Sequence, residues 1–128
     1  MYPPPLSPFD SIEIERSGHG VRIRTRTVVE PDGPYLSGHF PGRPILPGVF
    51  LVDTLLRAVC AGVDGARLTV LRSARFTAPV LAPGEFTMRV EVTGDPATGP
   101  LTARARCHRG DGEQCARLEA QFDAGRYR

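Results

Sequence analysis

GHFPGRPILPGVFLVDTLLRA, running from Gly38 to Ala58, is the stretch on which the fold turns. Its first half is built from glycine and proline around one histidine, His39; its second half is an apolar run broken by Asp53. Pro47 suits the first turn of a helix, where a missing N–H costs little. From Val49 to Ala61 the side chains are apolar nearly all round, apart from Asp53, Thr54 and Arg57, so the spacing predicts a helix buried on most of its faces. Gly38 and Gly42 allow close backbone approach, while Pro41 and Pro44 stiffen the loop that carries the imidazole.

Outward from this segment the period changes from helical to two. Gly20–Val29 sets Val21, Ile23, Thr25 and Thr27 against Arg22, Arg24 and Arg26, as a strand with one wet face does. Phe86 to Thr93 alternates through Phe86, Met88, Val90 and Val92. Leu101 to Cys107 and Gln114 to Asp123 alternate likewise, with the turn Arg109-Gly110-Asp111-Gly112 between them. Arg67 to Val80 is rich in strand formers, and Gly94 to Pro100 reads as a loop. One buried helix and five or six strands with one wet face imply an α+β fold, an antiparallel sheet wrapped around one long central helix. The expected organisation is a proline-rich lead-in over 1–11, a single domain over 12–124 and a short tail over 125–128.

Composition narrows the function. The 128 residues are 41 % hydrophobic and 23 % charged, which fits one soluble globular domain. No stretch is long enough for a membrane span, and the start lacks the pattern of an export signal. Cys60, Cys107 and Cys115 form no paired motif, so a reduced, cytoplasmic setting is expected. Cys107, His108 and Cys115 match no common zinc spacing, and adjacent Cys107 and His108 should point to opposite faces of a strand. All positive side chains are arginine, yet the net charge is only +2. That charge, and the lack of aromatics among Arg22, Arg24 and Arg26, argue against nucleic acid.

The chemistry sits in the opening stretch. Gly48 leaves the helix start unshielded, so its N–H groups can receive a carbonyl oxygen that is becoming negative. An imidazole, such a donor and a carboxylate suit removal of a proton beside a carbonyl with loss of a β-hydroxyl. Asp53 and Arg57 also read simply as an i, i+4 ion pair on an exposed stripe.

His39-Phe40-Pro41-Gly42, then Pro44-Ile45-Leu46-Pro47-Gly48-Val49, then Asp53, resembles the active-site signature of the β-hydroxyacyl-acyl-carrier-protein dehydratases. Arg75-Phe76-Thr77-Ala78-Pro79-Val80 with Pro83-Gly84-Glu85 resembles that family's later strand and turn. The resemblance implies a hot-dog fold and dehydration of a 3-hydroxyacyl thioester in fatty-acid or polyketide synthesis. It implies His39 as the catalytic base, Asp53 as the acidic partner and Gly48 as the thioester-carbonyl donor. Phe40, Pro41, Gly42, Pro47, Val49 and Arg57 would shape the site. It further implies a dimer or an oligomer of dimers, with each site sharing residues of two subunits, and an acyl carrier protein as partner. The substrate would ride on phosphopantetheine, with no cofactor or metal of the enzyme's own. Two positions depart from the pattern: aspartate stands at 53 where the branch with the closest loop usually has glutamate, and Arg57 replaces a usual glutamine. Those departures keep open a heterodimer with a homologous subunit and a silent acyl-binding subunit; a hot-dog thioesterase is a further class, against which the His39-Phe40-Pro41-Gly42 loop argues.

Overall fold

The computed structural model describes residues 9–18, 20–30, 45–123 and 126–127. The chain runs β1 (Ser11–Ser17), β2 (Gly20–Val29), α1 (Gly48–Gly62), β3 (Val63–Asp64), β4 (Arg67–Phe76), β5 (Gly84–Thr93), β6 (Leu101–Arg109), β7 (Gln114–Asp123) and β8 (Arg126–Tyr127). Six strands form one antiparallel sheet in the order β1-β2-β5-β6-β7-β4, and β3 pairs with β8. This is a hot-dog fold, with the sheet packed on the single long helix α1. No helix among the described residues is long and apolar enough to cross a membrane.

The alternation seen in the sequence is the pleat of this sheet. Val21, Ile23 and Thr25 are buried, while Arg22, Arg24 and Arg26 are exposed. Phe86, Met88, Val90 and Val92 of β5, and Leu101, Ala103, Ala105 and Cys107 of β6, all point inward. Leu118, Ala120 and Phe122 of β7 complete the layer. Each of the larger side chains removed from water in this way contributes about 1.5–3 kcal/mol. β1 carries a weaker signal: Ile12 and Ile14 are only partly buried, because an edge strand has one neighbour and a thinner cover.

Two expectations about the helix are corrected. α1 begins at Gly48, so Pro47 stands at its N-cap with extended backbone rather than inside the first turn. Nor is the helix buried on most faces. Leu51, Thr54, Leu55, Ala58, Val59 and Gly62 are buried, at spacings of three and four that trace one stripe. Val49 is exposed, and Val52, Asp53, Leu56 and Arg57 are only half-buried. Thr54 belongs to the core stripe, where its hydroxyl donates to the Phe50 carbonyl at 2.7 Å. The stripe comes close to the sheet at Gly62, where an added Cβ would lie 2.8 Å from Ile23 Cδ1.

Candidate active site

Two segments far apart in sequence meet at the start of α1. The Leu46 amide donates to the Val80 carbonyl at 2.8 Å, and Ile45 forms an isolated bridge with Leu81. This fastens the approach to the helix onto the loop that follows β4. The Phe76 ring then lies over Gly48, and a Cβ there would come within 2.9 Å of Phe76 Cζ. Only glycine lets the ring sit so close to the helix backbone. Leu46, Gly48, Leu51, Phe76, Pro79 and Val80 line a largely apolar cleft of about 470 Å³.

The electrostatics of the helix start follow from its sequence. Pro47 offers no side-chain cap, and no acid stands in the first turn. The Phe50 amide turns back to the Pro47 carbonyl at 3.0 Å, which leaves the Gly48 and Val49 N–H groups without an intrahelical acceptor, and the dipole of a helix of 15 residues makes its start attractive to negative charge. The cleft therefore joins an apolar wall to a polar, electropositive end, a combination suited to an acyl group ending in a carbonyl.

Asp53 stands elsewhere. Five residues beyond Gly48, it is turned by about 140° around the helix, and neither it nor Arg57 lines the cleft. Arg57 Nε donates to Asp53 Oδ2 at 3.0 Å, with both side chains 40 % exposed. The i, i+4 pairing read from the sequence is therefore present. His39, Phe40, Pro41 and Gly42 lie outside the described residues.

A support that the sequence did not reveal comes from the β6–β7 turn. Arg109 Nη1 donates to the Pro79 carbonyl at 3.0 Å, and the same guanidinium pairs with Asp111 at 2.6 Å and with Glu113. Hydrogen bonding to Arg109 holds the Asp111 carboxyl below its ordinary range, helped by the Glu113 amide. The turn thus steadies the Pro79–Val80 wall from behind. Arg109, Asp111 and Glu113 are recognisable in sequence as a turn, but their reach to Pro79 depends on how the sheet folds.

The cysteines take no part. Cys107 is buried and faces the core, which pushes its thiol pKa up through desolvation; Cys115 is raised for the same reason. His108, by contrast, lies at the outer face. No cluster of three metal-ligating side chains occurs among the described residues.

A six-stranded antiparallel sheet packed on one long helix, whose start opens on this cleft, is the arrangement of hot-dog proteins. Residues 13–118 match the model of the ApeI-like family, described as ApeI dehydratase, and the chain belongs to that family. It is also 31 % identical over 93 residues to the 3-hydroxyacyl-[acyl-carrier-protein] dehydratase FabZ of Nitrosomonas eutropha, a match covering 58 % of this chain and 59 % of that protein. The chain spans about half the length of several other curated relatives it matches. Among solved structures, an uncharacterized protein from Erwinia carotovora subsp. atroseptica superposes with a TM-score of 0.72 at 18 % identity, covering 89 % of this chain and 93 % of that one. The dehydratase heterocomplex ApeI:P from Xenorhabdus doucetiae superposes with a TM-score of 0.64 at 19 % identity, covering 90 % and 96 %. At such identities these two structures speak for the fold.

Proposed function

We propose that the protein dehydrates a 3-hydroxyacyl thioester, carried on the phosphopantetheine of an acyl carrier protein, to the trans-2-enoyl thioester. The observation that carries this reading is the cleft in which Gly48, at the bare start of α1, meets Phe76 and Val80 of the second motif. In the proposed reaction the thioester carbonyl accepts hydrogen bonds from the helix start. His39 takes the α-proton, and the charge developing on the carbonyl oxygen is met by the Gly48 N–H. Asp53 accepts a hydrogen bond from the β-hydroxyl, which departs as water with the proton that His39 removed.

Asp53 lies off the cleft that Gly48 lines, which supports a site completed by a second subunit. The exposed apolar residues support the same assembly. Val49 is 67 % exposed, Phe76 50 % and Val70 42 %, and β4 is an edge strand with β7 as its only neighbour in the sheet. An open apolar edge of this kind is a template for pairing with another chain. The relative in the solved heterocomplex is itself described as part of a dehydratase pair.

The test supplies purified protein with a series of carrier-bound 3-hydroxyacyl chains and follows a loss of about 18 daltons by mass spectrometry, one water in an elimination. His39→Ala should abolish that loss. A second reading rests on the Asp53–Arg57 pair, which departs from the family pattern: the chain would act only beside a homologous subunit that supplies the acid. Activity appearing solely on co-expression with such a subunit supports that second reading. No dehydration in either setting sinks the catalytic reading, and release of free thiol would favour a thioesterase.

A further inference from the structure

The outer face of the sheet carries a row of arginines that no local stretch of sequence displays. The register sets Arg24 opposite Arg89, Arg89 opposite Arg106, Arg106 opposite Arg117, and Arg117 opposite Arg75. Five cations thus lie side by side across β2, β5, β6, β7 and β4, all exposed, and Glu13 of β1 closes the row beyond Arg24. None of the five has an ion-pair partner among the described residues. Arg75, Arg89, Arg106 and Arg117 line one shallow depression of about 820 Å³.

The neighbouring row shows what folding alone favours. There Glu15 faces Arg22, Arg22 faces Glu91, Glu91 faces Arg104, and Arg104 faces Glu119. Its signs alternate, and Arg104 bonds Glu119 at 2.8 Å. Like charges placed directly opposite one another weaken a sheet, whereas opposite charges support it. The arginine row therefore breaks a rule that the row beside it obeys, and such departures mark places where the surface serves something other than stability.

From this register we propose that the arginine row is a docking site for an acidic α-helix of a partner protein, on the face of the sheet away from α1 and the candidate active site. The length supports a helix. Strands lie about 4.8 Å apart, so five in-register arginines span about 19 Å. A helix lying across the strands brings a carboxylate to one side once per turn, about every 5.4 Å, so four turns nearly match the row. Each guanidinium can grip a carboxylate with two parallel hydrogen bonds. An extended partner repeats one face only about every 6.8 Å and would meet fewer arginines. The row is a single residue wide, and Glu91 and Glu119 beside it repel any broad anionic surface such as a lipid headgroup layer. The outward positions of the row and its neighbour hold no aromatic side chain on which nucleic-acid bases could stack.

Fluorescence anisotropy tests this with the full chain and a labelled helical peptide bearing one glutamate per turn along one side. Parallel titrations use a peptide of equal charge with its glutamates scattered around the helix, a single-stranded RNA, and phosphatidylglycerol vesicles. The one-sided helix should bind most tightly and weaken as salt rises. Arg106→Gln and Arg89→Gln should each weaken it about tenfold, the scale of one lost charge-assisted contact. Arg67→Gln, which removes the same charge from a residue paired with Asp123 outside the row, should leave binding within about twofold. Equal effects of Arg67→Gln and Arg106→Gln overturn the proposal. So does tighter binding of the RNA, the vesicles or the scattered peptide.

Discussion

On the inner face of the sheet, Val21, Ile23, Val90, Ala105 and Leu118 pack toward α1; on the outer face of the same strands, their neighbours Arg22, Arg24, Arg89, Arg104 and Arg117 stand in solvent. The inner face is governed by the pleat alone. A residue there needs only to be apolar and of suitable size, whichever strand happens to lie beside it. The outer face depends on its partners: one row across the strands alternates in sign, and the next is cationic on five strands in succession. The difference teaches that hydrophobic order is a property of each strand, whereas electrostatic order is a property of the register between strands.

The inner face should break hardest. Phe122 is fully buried on β7, opposite Leu101 and Leu68. Phe122→Ala should destabilise the fold by about 3–5 kcal/mol through lost transfer energy and the cavity left behind. A denaturation midpoint hardly moved from wild type would show that this core is far looser than its burial indicates.

The same face holds one exception to its own rule. Thr25 is fully buried, and its hydroxyl has no hydrogen-bond partner among the described residues. Thr25→Val keeps the shape and removes the stranded group, so it should raise stability by about 1 kcal/mol. Equilibrium unfolding in urea measures this directly, and a destabilised variant would mean that the hydroxyl is satisfied in solution.

On the outer face the direction of the effect is diagnostic. Arg106 lies between Arg89 and Arg117, so Arg106→Glu replaces two repulsions with two attractions. Its Tm should rise by about 2–4 °C at low salt, and the gain should shrink in 1 M salt. Arg104→Glu, set between Glu91 and Glu119, should move Tm the other way. Shifts of the same sign in both variants would erase the distinction between the rows.

The smallest effect belongs to the Arg109 turn. Hydrogen bonding to Arg109 depresses the Asp111 carboxyl in the folded protein. A depressed carboxyl adds stability above its unfolded value, and that stability is lost as pH falls through the folded value. Asp111→Asn should therefore lower Tm slightly at neutral pH, with the difference fading in acid below the ordinary carboxylate range. A difference that persists unchanged to low pH would assign the effect to shape rather than charge.

Much of this was legible in the sequence, for reasons that can be named. The alternation in β2, β5, β6 and β7 is strict because each has two strand neighbours and a helix-covered face. β1 does not stand out in the sequence, because Ile12 and Ile14 are its only apolar residues and Glu13, Glu15 and Arg16 make it read as surface. The helix appeared apolar all round because Val49, Val52 and Leu56 are exposed or half-exposed in a single chain, where sequence cannot tell a core from an uncovered face. At the site, Gly48 and the second motif were visible separately. Their meeting through Phe76 was not, because it joins positions 28 residues apart through a bridge at Ile45 and Leu81.

The sequence by itself determined which side of β2, β5, β6 and β7 faces the core and that one long helix follows the glycine- and proline-rich stretch, because both follow from local spacing. It also placed Asp53 and Arg57 within reach, since i and i+4 are neighbours on any helix. Only the tertiary structure decided which arginines stand together. Along β2 the eye groups Arg22, Arg24 and Arg26, but Arg22 is drawn to Glu91 and Arg26 to Glu85, leaving Arg24 alone to join Arg89, Arg106, Arg117 and Arg75. That grouping rests on the register of five strands from distant parts of the chain, and no local pattern encodes it.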